Sequence, residues 1–197
     1  MLRGRDIGRW RAGFLGIGFL GIGFLGILAT TAFVPAPGFA DESLAVAVKA
    51  AYLYKFAPFI TWPAPPSPTA PFTICVVGAD PFGAQLDRAV AGQAFGTRPY
   101  QVVRLEAIAA DSVCNIAYIG GSAKQSVGAG LDAVKGAPVL TVTEDGPRAG
   151  TISFKMQAGK VRFRIDQVAA SQDGLAISSK LLSLAVSVRT EHGTVEP

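Results

Sequence analysis

The sequence predicts an α/β fold: a mostly parallel central sheet with flanking helices, a C-terminal antiparallel β-hairpin and a final packed helix. Three observations predict it. Short apolar, β-branched runs alternate with helical patterns between Phe72 and Val142, which is how parallel strands joined by crossovers read. Between Thr151 and Ile165 the pattern changes to strict alternation, as in a hairpin with one face buried. Leu181, Leu182, Leu184, Ala185 and Val188 then recur at the spacing of a helix stripe.

Residues 1–40 stand apart from this domain. Arg3, Arg5, Arg9 and Arg11 form a basic start, an apolar stretch runs from Phe14 to Val34, and Gly38-Phe39-Ala40 offers small residues at a cleavage point. That order is the grammar of a cleavable secretory signal and places the protein in the periplasm. The other reading is a retained anchor, because about 20 apolar residues can span a bilayer. The six glycines from Gly13 to Gly26 weaken such a helix. Residues 41–190 make up the domain and 191–197 a flexible tail. Of 18 basic and 14 acidic residues, four arginines and Asp6 precede residue 41, which leaves 14 basic and 13 acidic residues, a net of +1. The basic character of the whole chain therefore belongs to its leader and does not argue for nucleic acid.

Along the domain, Asp41 or Ser43 is placed to cap a helix through Phe56, apolar almost all round and so expected to be largely buried. Pro58 should loosen its end, and the five prolines between Pro63 and Pro71 make an extended connector. Phe72–Gly78 reads as a central strand covered on both faces. Asp80-Pro81 should open a helix through Ala91, with Leu86 and Val90 on its inner face. Further strands are expected at Tyr100–Leu105, Asn115–Ile119 and Pro138–Val142, with Ser122 capping a helix toward Val134. In the hairpin, Val161, Phe163 and Ile165 should face the core, and Lys160, Arg162 and Arg164 should face outward. After a turn at Asp173-Gly174, Leu175–Ile177 is a short strand or connector, and Ser178 or Ser179 caps the last helix.

The residues offer little for catalysis. The single histidine, His192, lies in the polar tail. Glu144-Asp145-Gly146-Pro147 resembles a carboxylate pair for a metal but reads better as an ordinary turn. Gly78-Ala79-Asp80-Pro81-Phe82-Gly83 stands where a strand feeds a helix, yet no Lys-Ser or Lys-Thr follows, Asp80 would repel a phosphate, and dinucleotide spacing is absent. No enzyme activity, metal or cofactor is expected. Cys75 and Cys114 are the only cysteines. In an exported chain an even count points to a disulfide, the alternative being two buried thiols. The row Lys160, Arg162, Arg164 could dock an acidic partner or a phosphate-bearing ligand, or could merely protect an exposed strand edge.

One ordered set of motifs resembles the YfiR-like family. It comprises Val48-Lys49-Ala50-Ala51-Tyr52-Leu53-Tyr54-Lys55-Phe56 with Trp62-Pro63, and Ile74-Cys75-Val76-Val77-Gly78 with Asp80-Pro81-Phe82-Gly83. Cys114-Asn115-Ile116-Ala117-Tyr118-Ile119, Val139-Leu140-Thr141-Val142, Gly150-Thr151-Ile152-Ser153-Phe154, Val161-Arg162-Phe163-Arg164-Ile165 and Leu175-Ala176-Ile177-Ser178-Ser179-Lys180-Leu181-Leu182 continue it, spanning residues 44–189. The resemblance implies a periplasmic regulator that represses an inner-membrane diguanylate cyclase, or modulates a sensor kinase, and so acts on cyclic di-GMP signalling and biofilm formation. An outer-membrane lipoprotein that relieves repression, and a homodimer, are further partners it suggests. Cys75 and Cys114 match a cysteine pair of the family, and a 2-1-3 strand order would make their strands neighbours. The founding member's second pair has no counterpart, since no cysteine follows Cys114. The alternative function is a periplasmic small-ligand binder or sensor, with its pocket at the carboxyl ends of the parallel strands near Gly78 and Gly120-Gly121.

Overall fold

The first helix, α1, spans Pro37–Phe56, in a computed structural model that describes residues 37–63 and 69–197. The expected export signal, apart from the start of α1, and the middle of the proline-rich connector lie outside the described residues. The helix runs through Asp41 and Ser43 instead of starting at either of them. A proline at the first helical position lacks only an N–H that would have no helical partner anyway, so the start moves upstream to Pro37. Ala50, Leu53 and Phe56 are fully buried against the sheet, while Leu44 is exposed and Tyr52 half-buried. The helix is thus buried along one face, not all round.

Pro58 ends it: a 3-10 turn over Ala57–Phe59 follows, leading into the short strand β1, Ile60–Thr61. Trp62 donates its indole N–H to the Ala57 carbonyl at 3.2 Å, folding the chain back on the helix end. Strand β2, Phe72–Gly78, has six successive buried residues, as a strand covered on both faces requires. The next helix, α2, is Ala84–Val90, shorter than expected. The Asp80 carboxylate accepts the N–H groups of Phe82 and Gly83 at 2.8 and 3.0 Å, so these residues close an Asx turn rather than a helical one. Leu86 and Val90 do face the core. A hairpin of β3, Ala94–Phe95, and β4, Arg98–Leu105, follows.

Strand β5, Ile116–Gly121, leads to α3, Val127–Ala133, capped by Ser126. Ser122 instead accepts N–H bonds from Lys124 and Gln125 in the preceding turn. Strand β6 is Leu140–Glu144. Strands β7, Ile152–Gln157, and β8, Lys160–Asp166, pair antiparallel with Phe154 opposite Phe163. Their turn places Ala158 at φ 49° and Gly159 at φ 71°, the two left-handed residues of a turn whose twist suits a hairpin.

The final segment departs most from expectation. Asp166 caps an unforeseen helix, α4, Gln167–Gln172. Strand β9, Ala176–Ile177, then pairs with β1 in a separate two-stranded sheet. The last helix, α5, is only Ser179–Leu182, capped by Ser178. Beyond it Ser187–Thr190 is strand β10, parallel to β8, and Gly193–Val195, in the expected tail, is β11. Leu184 is exposed, and Val188 is buried in a strand rather than on a helix. Val186, Val188 and Thr190 are β-branched, and the backbone ladder to β8 outweighs a weak helical spacing.

The nine-stranded sheet among the described residues has the order β11-β10-β8-β7-β6-β5-β2-β4-β3. Its central pairings from β4 through β7 are parallel. One core packs α1, α2, α4 and α5 against one face through Phe72, Ile74, Val76, Phe154 and Phe163. A smaller core joins α3 to the other face through Cys75, Val77, Ala117 and Ile119. It takes nothing from β7, β8, β10 or β11, so among the described residues that end of the second face has no apolar cover.

Candidate functional site

The alternation of β8 puts Val161, Phe163 and Ile165 into the core, whereas Lys160 and Arg162 are exposed and Arg164 half-exposed. The three cations are not equivalent. Arg164 donates to the Asp145 carboxylate at 2.8 Å, which neutralises it and ties β8 to the end of β6. No described carboxylate pairs with Lys160 or Arg162. The register places Lys155 of β7 opposite Arg162, a third cation that no described carboxylate pairs and that the alternation of one strand could not disclose. Nor is β8 an edge throughout. Strand β10 pairs with Arg164–Asp166, and the Val186 N–H reaches the Phe163 carbonyl at 2.9 Å. Edge protection therefore applies only to the first half of the strand.

Beside that half lies an apolar groove of about 190 Å³ between α1, α5 and β8. Tyr52, Phe56 and Phe163 form its floor as an aromatic cluster, with ring centroids 5.3–5.6 Å apart. Lys55, Phe59, Leu184 and the Arg162 position of β8 complete its lining. Lys180 lies over the Phe59 ring at 5.8 Å. Leu184 is 52 % exposed and Met156, at the hairpin tip, 49 %. Apolar side chains thus face solvent close to cations that no described carboxylate pairs. The groove was not readable from sequence because α1, α5 and β8 meet only in the tertiary structure.

A second concavity, about 640 Å³, opens at the carboxyl ends of β2, β5 and β6, the position at which α/β sheets commonly take ligands. Ala79, Ile119, Gly120 and Val127 line its floor, and Asp80, Tyr118, Glu144 and Arg148 its sides. The backbones at its base are in close approach: the Ala79 N–H donates to the Gly121 carbonyl at 2.8 Å. A Cβ on Gly78 would lie 2.3 Å from the Gly121 oxygen, and one on Gly120 2.3 Å from the Ala79 oxygen. Its charges are internally matched. Lys49 of α1, whose side chain is 14 % exposed, donates to both Glu144 oxygens at 2.7 Å, and Tyr118 donates to Glu144 at 3.2 Å. Burial, reinforced by the Glu144 charge, pushes the Tyr118 hydroxyl well above its ordinary pKa.

Arg104 binds both Asp80 and Asp87. Burial alone would raise the Asp80 carboxyl, but hydrogen bonds from Arg104, Phe82 and Gly83 outweigh it and hold the group below its usual range. The Glu144-Asp145 pair is thus divided between Lys49 and Arg164, and the described residues contain no cluster of three or more His, Cys, Asp or Glu set to hold a metal. His192 lies in the β10–β11 turn, beside Gln167 and Thr190.

Cys75 and Cys114 are joined in a disulfide with Cα atoms 5.8 Å apart. Cys75 lies in the middle of β2 and Cys114 just ahead of β5, its parallel neighbour. The bridge therefore fastens the loop 106–115 to the sheet under the smaller core.

No curated protein matches the chain. The sequence model of a family described as YfiR/HmsC-like matches residues 46–186. That stretch begins within α1 and ends just before β10, so it contains the disulfide, the groove, the Lys160–Arg162 edge and the crevice. The protein belongs to the YfiR/HmsC-like family.

Proposed function

We propose that the protein is a periplasmic regulator that docks on the periplasmic part of an inner-membrane signalling enzyme, most readily a diguanylate cyclase, and holds it in its inactive state. Family membership supports the class of function. The observation that carries the docking step is the pairing of unpartnered Lys160 and Arg162 with an open aromatic groove. Cations of this kind steer an acidic partner and fix its register, while the apolar anchor supplies most of the affinity. The protein acts by binding rather than catalysis, and its effect is bounded by its difference in affinity for the two states of the enzyme. Arg164, already bound to Asp145, shapes the surface more than it contacts the partner. An outer-membrane lipoprotein competing for the same surface would relieve the repression. The export signal of residues 1–40 is part of this reading.

The test is affinity capture from detergent-solubilised membranes with the protein as bait. Recovery of an inner-membrane protein bearing a cyclase or kinase domain, lost with Arg162→Glu, supports the reading. Recovery of nothing by folded bait contradicts it.

A second reading is favoured by the crevice. At about 640 Å³ it falls within the 300–1,000 Å³ of small-molecule sites, and a ligand there would make the protein a periplasmic sensor. A thermal shift with amino acids or nucleotides, abolished by Gly128→Trp at the crevice wall, would support it. No shift across both classes would contradict it.

A further inference from the structure

The open half of β8 has three properties that together specify an occupant. The first is backbone. The Phe163 carbonyl is given outward, to Val186, so the Phe163–Phe154 pair is one that does not exchange hydrogen bonds across the hairpin. Such pairs alternate with bonded ones along an antiparallel ladder. The Val161–Met156 pair, two residues on, is therefore of the same kind, and the N–H and C=O of Val161 also point outward. Strand β10 reaches only Arg164, so among the described residues no strand receives them. The second property is charge: Lys155, Lys160 and Arg162 lie side by side on the α3 face of the sheet, at the end where the smaller core takes nothing from β7 or β8, and no described carboxylate pairs with any of them. The third is the groove of Tyr52, Phe59, Phe163 and Leu184, which opens along the same edge on the opposite, helix-covered face.

We propose that the partner binds here by strand addition: an extended segment with alternating acidic and apolar residues joins β8 at Val161, in line with β10. Alternation follows from the two faces of the site. Successive side chains of a strand point to opposite faces. One set of the incoming side chains therefore meets Lys155, Lys160 and Arg162, while the other enters the groove, whose 190 Å³ admits one large apolar anchor. Main-chain bonds to a sheet edge give such a mode its affinity, and the pockets for alternate side chains give it specificity. Charge complementarity selects an acidic segment over a second copy of this chain, whose corresponding edge carries the same cations. The inference rests on the docking reading above and adds the mode of contact and the chemistry of the contacting segment.

The probe is a fluorescein-labelled short peptide alternating glutamate with valine and phenylalanine, titrated into the full chain by anisotropy, with amide exchange read by NMR. Saturable binding and slowed exchange at Val161 are expected. Lys160→Glu combined with Arg162→Glu should weaken binding at least about tenfold, two exposed charge pairs and their reversal being involved. A peptide of the same composition with its glutamates clustered at one end should bind comparably weakly. Val161→Pro removes the outward N–H at an edge position where proline is tolerated. If that variant melts early, the charge reversals, which leave the backbone unchanged, carry the test.

Binding without slowed exchange at Val161, equal affinity for the clustered peptide, or a homodimer that occupies this edge and is insensitive to the peptide would each overturn the proposal. Failure of this inference is distinguishable from failure of the docking reading. If membrane capture succeeds equally well with folded Val161→Pro, the regulator stands and strand addition falls.

Discussion

Reducing the disulfide should cost the domain about 4 kcal/mol. Cys75 and Cys114 are 39 residues apart, and closing a loop of that length removes roughly 13 cal/mol/K from the unfolded chain, about 4 kcal/mol at 25 °C. For a domain of this size, each kcal/mol moves the melting temperature by about 2–4 °C, so a fall of roughly 8–16 °C is expected. Reduction and substitution separate two contributions. Reduced wild type keeps both sulfurs, which pack as small apolar groups in their buried sites, so its loss is the chain-entropy part alone. Cys75→Ala with Cys114→Ala adds a cavity in the core formed with Val77, Ala117 and Ile119, and should cost about 1 kcal/mol or more beyond reduction. The assay is urea unfolding followed by Trp62 fluorescence and far-UV circular dichroism, with and without dithiothreitol. Refutation would be an oxidised and a reduced protein whose stabilities differ by less than about 1 kcal/mol, because the bridge would then not constrain the unfolded chain as loop closure requires.

Gly120→Ala should destabilise by about 1–3 kcal/mol, the range of overpacking, because its Cβ would meet the Ala79 carbonyl oxygen at 2.3 Å; an unchanged denaturation midpoint would contradict the close approach of β2 and β5. Ala158→Asn should stabilise by about 1 kcal/mol, since the residue sits at φ 49° where alanine is penalised and asparagine tolerated, and melting of the two proteins side by side decides it. Burial raises the Asp173 carboxyl above its ordinary pKa, against the bond it accepts from the Gly136 N–H, so asparagine should serve better there at neutral pH. A raised carboxyl favours the folded state below its unfolded pKa and loses that contribution as pH rises through the folded one, so Asp173→Asn should raise the melting temperature at pH 7 and lose its advantage in acid. Asp80 and Asp87 have the opposite sign. Arg104 holds both below 3.8, so their contribution is present near neutrality and lost as pH falls below that value, and Arg104→Met should flatten the acid limb of the stability profile.

Much of the fold was legible because its strands are written in residues that leave few alternatives. Phe72–Gly78 has no polar residue except Thr73, which suits a strand covered on both faces, and the β7–β8 alternation predicts which side chains enter the core. The final segment was misread for a physical reason. Leu181, Leu184, Ala185 and Val188 have helix spacing, but the outer edge of β8 at Arg164–Asp166 offers a ladder that isolated sequence cannot display, and Ser187–Thr190 takes it. Ser122 and Ser126 are equally good caps by residue type; the turn at Lys124-Gln125 uses the first and leaves the helix to the second. Of the proposed docking surface, the cationic row was visible in the alternation of residues 160–164. Its neutralised member, Arg164, its additional cation, Lys155, and the groove depend on register and on the packing of α1 against β8, which no local pattern encodes.

The central claim is that this chain restrains a membrane signalling enzyme through the Lys160–Arg162 edge. Its most direct test is the cellular cyclic di-GMP level in a strain lacking the protein, complemented with wild type or with the Lys160→Glu, Arg162→Glu double variant at equal abundance. Cyclic di-GMP should rise on deletion, return to its original level with wild type, and stay high with the double variant. A level unchanged by deletion, or restored equally by both proteins, would contradict the account.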